Sequence, residues 1–270
     1  MYSKYYKFTL GSCEKTICPC LLTFSIILNR MKTQFKFPVI LLMVIASMAF
    51  TNPKSPAKKS PPEKKGDWIS LFDGKSLKGW HGYNKKGAVK NWQIEEGALV
   101  CLGAAKDASG GDIITNSKYA NFELKWEWKV SKGSNSGVMY HVVESKKYHA
   151  PYETGPEYQI IDDIGFPEKL ENWQKAGADY AMHTPNSLKD LVPAGQWNTS
   201  KIIFNHGHVE HWLNGKKIVE FKAWSEDWNQ KRLTGKWKDY PDYGKAKTGG
   251  IALQDHGDKA YYKHIMIREL

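Results

Sequence analysis

The sequence predicts an all-β protein whose strands form two antiparallel sheets, packed as a jelly-roll sandwich with one concave face. Three observations support this fold class. Short stretches in which apolar and polar residues alternate recur from residue 68 to the end of the chain. Turn signals such as Asp73-Gly74 and Asn214-Gly215 separate many of these stretches. Helical patterns are scarce, and the one short helix expected lies around residues 168–175.

The predicted strands follow one another along the chain, each bounded by turn residues. The longest alternation, residues 121–130, places four large apolar side chains on one face and therefore predicts a strand central to the core. These four are Phe122, Leu124, Trp126 and Trp128. Strands are expected at residues 68–72, 92–95, 98–102, 112–115, 121–130, 136–142, 157–162, 197–204, 208–213, 217–221, 249–257 and 260–268.

The first 66 residues predict a leader and a tether rather than a folded domain. Residues 1–49 end with the pattern of a secretory signal peptide: a basic start after Met31, an apolar middle and a small-residue exit at Ala49. This pattern predicts a periplasmic or secreted protein whose natural start is Met31. Residues 50–66 hold four prolines and five lysines, a composition typical of a disordered tether. The folded domain is expected over residues 67–270.

The charge of the chain argues against nucleic-acid binding. The net charge is +11, but eleven of the Lys and Arg residues lie in the first 65 positions, so the predicted domain is nearly neutral. The apolar run of the leader is shorter than the roughly 18 residues of a membrane-spanning helix, which predicts no stable membrane insertion after cleavage. Cys101 is the one cysteine of the predicted domain, so no disulfide is expected there.

A carboxylate and an amide alternate with core residues on one predicted strand. Because Tyr158 and Ile160 would enter the core, Glu157 and Gln159 would point together to the other face.

Two other predicted strands carry polar side chains of the same kind. One includes His141, and the other includes Gln254 and His256. Laid beside the Glu157 strand, they would line a cleft with acid, amide and imidazole groups.

Several segments, in order, resemble the 3-keto-disaccharide hydrolase family of bacteria, long catalogued as a domain of unknown function. They are LFDGKSLKGW at 71–80, the strand from Ser136-Gly137, EYQIID at 157–162, GQWN at 195–198, LNG at 213–215 and GIALQDHG at 250–257. The resemblance covers residues 67–270. It implies a concanavalin-like jelly roll, export beyond the inner membrane and action on glycosides oxidised to a ketone at C3. It also implies a sugar 3-dehydrogenase as the functional partner that makes the substrate.

The implied chemistry begins at the hydrogen on C2, which a ketone at C3 makes acidic. A base removes it, the glycosidic oxygen at C1 leaves by elimination, and water completes a net hydrolysis. Glu157 and His256 suit the roles of base and acid, in either order. The groups suited to holding the enolate oxygen are Gln159, Gln254 and His141. The family often has Arg where this chain has His141, so substrate placement could differ here. The sequence also allows a divalent cation as a cofactor.

The sequence allows two other functions. Asp112 and Asp162, further expected substrate-binding residues, could each supply the second carboxylate of an ordinary two-carboxylate glycosidase. The chain could also be a non-catalytic carbohydrate-binding module or a surface glycan-binding protein, because the fold class alone does not decide function.

Two residue clusters each have two interpretations. Three histidines, His206, His208 and His211, could form a metal site. A hairpin turn is expected between the first two, which disfavours that interpretation. A set of aromatic residues could stack on sugars at the cleft rim or cover the core: Trp224, Trp228, Trp237, Tyr240 and Tyr243.

Overall fold

The computed structural model of the chain describes residues 65–86, 89–103 and 111–270. The predicted leader and residues 50–64 of the predicted tether lie outside these ranges. The described residues belong to one compact unit. None of the helices in these ranges has the length and apolar character that crossing a bilayer requires.

Thirteen strands are found within the described ranges. They are β1 Ile69–Ser70, β2 Trp80–Gly82, β3 Trp92–Glu95, β4 Ala98–Cys101, β5 Ile113–Thr115, β6 Phe122–Val130, β7 Asn135–Val142, β8 Glu157–Ile161, β9 Asn198–Asn205, β10 His208–Leu213, β11 Lys216–Lys222, β12 Gly250–Leu253 and β13 Ala260–Glu269. The helical elements are α1 Glu226–Thr234 and three 3₁₀ turns, Pro151–Glu153, Asn172–Gln174 and Lys236–Asp239.

The strands form two antiparallel sheets, which confirms the predicted fold class. The eight-stranded sheet has the order β11-β10-β9-β6-β13-β4-β3, with β1 also paired to β13. The five-stranded sheet has the order β2-β5-β12-β7-β8. Its edge strand β8 is covered by the chain around Ala178, because the Gln159 N–H donates to the Ala178 carbonyl over 3.0 Å.

The core lies between the two sheets. The four large side chains predicted to share one face of β6 are all buried. Two polar atoms within this core are satisfied by one hydroxyl: Ser200 Oγ lies 2.8 Å from the Trp128 indole nitrogen and 2.9 Å from the Tyr158 hydroxyl. The core is therefore apolar in bulk and fixed in register by a few buried hydrogen bonds.

The short helix expected around residues 168–175 is found only as a single 3₁₀ turn, Asn172–Gln174. The α-helix found among the described residues is α1, in a stretch expected to be irregular. It begins after Ser225, whose hydroxyl accepts a hydrogen bond from the Trp228 N–H. The capping serine and the two acidic residues that follow it, Glu226 and Asp227, are the sequence pattern that indicates the start of this helix.

The aromatic residues around α1 mainly cover the core. Trp228, Trp237 and Tyr243 are almost completely buried, and the Trp237 and Tyr243 rings stack with centroids 4.1 Å apart. Trp224 and Tyr240 are partly buried against the same core. Of the two alternatives, core covering therefore describes three of the five residues, and sugar stacking is left to Trp224 and Tyr240.

The expectation that His141 lines the cleft is wrong, because β7 carries a bulge at this position. His141 has a φ of +53°, and the pairing of β7 with β12 shifts there. The shift turns His141 inward, where its ring centroid lies 4.3 Å from that of Phe204. Its Nε2 lies 2.8 Å from the Ala120 carbonyl. Burial lowers the pKa of His141 to about 4.

The buried imidazole predicts a loss of stability in acid. The pKa of about 4 in the folded protein lies below the ordinary 6.5 of the unfolded chain. The unfolded chain therefore takes up the proton first, and the free energy of unfolding falls as the pH drops from about 6.5 towards 4. The His141→Asn variant should be less stable at pH 7, but its loss between pH 7 and pH 5 should be smaller by about 2 kcal/mol. Urea denaturation at both pH values measures this, and parallel losses in the two proteins would contradict it.

Candidate active site

The Glu157 carboxyl is placed by a gap in the neighbouring strand. Tyr158 and Ile160 enter the core, so Glu157 and Gln159 point to the opposite face of the five-stranded sheet, here called the site face. The Glu157 carboxyl lies against Gly137 of β7: a β-carbon added to Gly137 would lie 2.0 Å from Glu157 Oε1. Glycine at this position therefore makes room for the carboxyl.

The surroundings of Glu157 favour its neutral form. The residue is 4% exposed, and burial raises the pKa of its carboxyl to about 8. The Lys236 ammonium opposes this rise, while the negative charges of Asp112 and Asp179 add to it. Within the described residues, no hydrogen bond reaches the Glu157 carboxyl. The group is therefore protonated at neutral pH and close to the point at which it exchanges its proton.

Two glutamine residues flank Gly137 on either side. Gln159 lies opposite Gly137 in β8, and the Gln254 N–H, just beyond β12, donates to the Gly137 carbonyl over 3.0 Å. Gln159 is buried, and its Oε1 accepts from the Ile160 N–H over 3.2 Å, which turns the amide nitrogen away from that bond. Gln254 is partly exposed. The strand order β12-β7-β8 thus places one glutamine on each side of Gly137, against which the Glu157 carboxyl lies.

A second carboxyl belongs to Asp112, the residue immediately before β5. Its Oδ1 accepts from the Asp255 N–H over 2.7 Å. The Asp255 carboxylate is itself held by Asn91 Nδ2 at 2.6 Å and by the Gly111 N–H at 3.0 Å. Burial raises the pKa of Asp112 to about 7; the charge of Asp255 adds to the rise, and the Asp255 N–H and Lys85 oppose it. Asp112 therefore changes protonation close to neutral pH.

Both oxygens of Asp162 accept hydrogen bonds from the backbone, and the expectation that this residue binds substrate or acts as a second carboxylate stays a prediction. Asp162 Oδ2 accepts from the Gly133 N–H over 2.9 Å, and Oδ1 accepts from the Ile164 N–H over 3.2 Å. Although burial opposes it, these donors and Gly165 hold the pKa of Asp162 below its usual range. Asp162 therefore has a structural role in the turn after β8.

His256 lies on an exposed segment beyond β12, two residues after Gln254. The Asp255 carboxylate does not hold it, since Asp255 Oδ1 accepts from the Gly257 N–H over 3.0 Å. Within the described ranges, no hydrogen bond or ion pair joins His256 to Glu157. The catalytic role assigned to His256 from the sequence stays a prediction.

Two charged groups near Glu157 are not indicated by any pattern in the sequence. Lys236, on the 3₁₀ turn after α1, holds its Nζ 4.1 Å above the Tyr180 ring and 5.1 Å from the Trp237 ring. Asp179 is fully buried, and its Oδ2 lies 2.8 Å from His183 Nδ1. Both come from irregular segments, where no periodic pattern marks the direction of a side chain.

An apolar cluster packs on the site face beside these polar groups. Its members come from β5, β7, β12 and two loops: Tyr83, Ile114, Met139, Val142 and Ala252, with Tyr148 and Tyr152 against them. Met139 pairs directly with Glu157. The cluster surrounds the carboxyl with low-dielectric material, which is the physical reason for its raised pKa.

The histidine trio considered for metal binding does not form. His211 is fully buried, with Nδ1 3.0 Å from the Gly177 carbonyl, whereas His206 and His208 are exposed. The described residues contain one other His and Asp/Glu group with ligand atoms within 4.8 Å of one another, namely His208, Glu210 and Glu220. The Lys217 ammonium contacts both of these glutamates, so the group is an ion-pair network rather than a fitted metal site.

Comparison with known proteins points to one family. Residues 67–268 match the family model of the 3-keto-alpha-glucoside-1,2-lyase-like domain. A 3-keto-disaccharide hydrolase of Bacteroides thetaiotaomicron is 34% identical over 233 residues, which are 75% of this chain and 78% of that protein.

Two solved structures from Parabacteroides distasonis, both of candidate glycosyl hydrolases, share the fold. One has a TM-score of 0.71 at 47% identity and covers 75% of this chain and 94% of that chain. The other has a TM-score of 0.58 at 25% identity and covers 76% of this chain and all of that chain (100%). The similarity of sequence and that of structure agree, and the chain belongs to the 3-keto-disaccharide hydrolase family.

Proposed function

We propose that this protein is a carbohydrate hydrolase that cleaves the glycosidic bond of 3-keto-glycosides by elimination followed by addition of water. The observation that carries the proposal is the buried Glu157 carboxyl, with a pKa near 8, set against Gly137 between two amide side chains. The family membership supports the substrate class, since the Bacteroides relative is described as a 3-keto-disaccharide hydrolase.

The two carboxyls divide the proton transfers between them. Glu157, protonated at neutral pH, is the acid that gives its proton to the glycosidic oxygen. Asp112, with a pKa near 7, is ionised in half or more of the molecules above that pH and removes the proton from C2. The electron pair of the C2–H bond first forms the C2–C3 double bond of an enolate, with the negative charge on the C3 oxygen. Collapse of this enolate restores the C3 ketone, forms the C1–C2 double bond and breaks the C1–O bond. Water then adds its hydroxyl group to C1 and a proton returns to C2, so the net reaction is hydrolysis and the ketone at C3 is kept.

The enolate oxygen that develops at C3 needs donors or a cation nearby. Gln159 and Gln254 lie on either side of Gly137 in the sheet, and their side-chain amide N–H groups would supply donors. The Lys236 ammonium, whose charge acts on Glu157, supplies positive charge on the same side. These groups would stabilise the enolate more than the ketone, which is the requirement for catalysis.

A non-catalytic binding module explains less of this arrangement. Binding of a sugar by stacking requires exposed aromatic rings, and three of the five aromatic residues considered for that task are buried. A buried carboxyl with a raised pKa costs stability without improving the binding of a neutral sugar. The arrangement therefore favours an enzyme.

Export and the functional partner are part of the proposal. The leader pattern over residues 31–49 supports a periplasmic or secreted location. A ketone at C3 must be introduced by an oxidoreductase, so a sugar 3-dehydrogenase would supply the substrate.

The division of roles predicts that Glu157→Gln acts differently on two leaving groups. An unactivated aglycone, such as the second sugar of a 3-keto-disaccharide, needs the acid, so its release should slow by about 10²–10⁴-fold. A 4-nitrophenolate leaves without protonation, so release from the 4-nitrophenyl 3-keto-glucoside should slow far less. Asp112→Asn should slow both substrates alike, because removal of the C2 proton precedes departure in each case.

Initial rates on both substrates, with the unoxidised glucosides beside them, measure this effect. His256→Gln is the matched variant for the exposed imidazole: a loss in this variant equal to that of Asp112→Asn would give the role of base to His256. Equal losses of both substrates in Glu157→Gln would make Glu157 the base. No release from the keto-glycosides by the wild-type protein would overturn the proposed function.

The pH dependence of kcat/KM has a predicted sign for each carboxyl. For the unactivated substrate it should rise through about pH 7, as Asp112 ionises, and fall above about pH 8, as Glu157 loses its proton. Glu157→Gln should remove the alkaline fall and leave the acidic rise. A profile that continues to rise through pH 8 would show that the ionised form of Glu157 is required.

A further inference from the structure

A cavity of about 540 Å³ lies on the outer face of the eight-stranded sheet. Its walls include Lys129 of β6, Tyr261 and Lys263 of β13, Trp197 just before β9, and Glu95 of β3. Residues on both sides of Lys129 and of Tyr261 are buried in the core, so these two side chains point away from it. The cavity is thus on the opposite side of the sandwich from Glu157, and its size is within the roughly 300–1,000 Å³ of small-ligand sites.

Two aromatic rings and two ammonium groups form the floor of this cavity. Lys129 is paired with Tyr261 in the sheet, and its Nζ lies 4.3 Å from the Tyr261 ring and 5.1 Å from the Trp197 ring. Lys263 Nζ lies 4.1 Å from the Trp197 ring. Lys259 Nζ also lies 5.1 Å from the Tyr261 ring. The negative faces of both rings therefore hold groups of positive character, here lysine ammonium groups. Both rings are only partly buried.

The charges of the cavity are mixed. Glu95 is paired with Lys259 at 3.2 Å, and Lys263 is paired with Glu127 at 3.3 Å. Within the described residues, Lys129 has no carboxylate partner, and its contacts are the two rings. An extended polyanion would meet Glu95 here, whereas a neutral polar ligand finds donors and acceptors side by side.

We propose that this cavity is a second, non-catalytic binding site for a neutral saccharide. The C–H face of a pyranose carries weak positive charge and packs on the Trp197 ring in place of an ammonium group. The flexible Lys129 and Lys263 side chains then donate to the sugar hydroxyls, and Glu95 accepts from them. This saccharide site lies on the opposite face of the sandwich from Glu157. The proposal therefore does not rest on the proposed elimination reaction.

Titration of the full chain with unoxidised maltotriose and cellotriose, followed by calorimetry, tests the proposal. The wild-type protein should bind at least one of them, and Trp197→Ala should weaken the binding about tenfold or more, as expected for the loss of one stacked ring. The matched control is Trp212→Ala, which removes another outer-face tryptophan with Lys201 Nζ 4.1 Å above its ring. This control should keep the wild-type affinity.

Three outcomes would overturn the proposal: no binding of either neutral trisaccharide, equal weakening by the two tryptophan variants, or binding of a uronic acid trimer in preference to both neutral ones. Thermal unfolding of each variant, and its rate on the 3-keto-glucoside, separate loss of the site from loss of the fold. Trp197→Ala should keep the wild-type rate, since Trp197 lies on the face opposite Glu157.

Discussion

The arrangement of the candidate active site depends on one steric condition, the missing side chain at Gly137. β7 lies between β12 and β8, and the absence of a β-carbon there lets the Glu157 carboxyl lie against the neighbouring backbone. In that position the carboxyl loses most of its contact with water, and its pKa rises to about 8. A methyl group at residue 137 would displace the carboxyl and with it the proton-transfer chemistry.

The patterns that are local in sequence were enough to predict the fold. Alternation along β6 and β8 assigns each side chain to a face, and Asn214-Gly215 closes a hairpin with φ values of +47° and +79°, as such turns require. The helix α1 was not predicted, because few of its side chains are buried and its apolar periodicity is therefore weak. Periodicity reports burial, and an element with little burial leaves little periodicity.

The candidate site was predictable only in part. Alternation places Glu157 and Gln159 together because both stand on one strand. His141 was misplaced because a bulge depends on the register between β7 and β12, which two separate segments decide together. Lys236 and Asp179 act on Glu157 from irregular segments far along the chain, so no spacing rule connects them to it.

The aromatic stack behind Lys236 limits how this region can move. Trp228, Trp237 and Tyr243 are almost completely buried, and exposing such a ring to water costs about 1.5–3 kcal/mol. A swinging lid built from this segment would expose all three rings together, so the segment behaves as a fixed wall. A variant that loosens the stack would therefore let the Lys236 ammonium move relative to the Glu157 carboxyl, whose pKa that charge lowers.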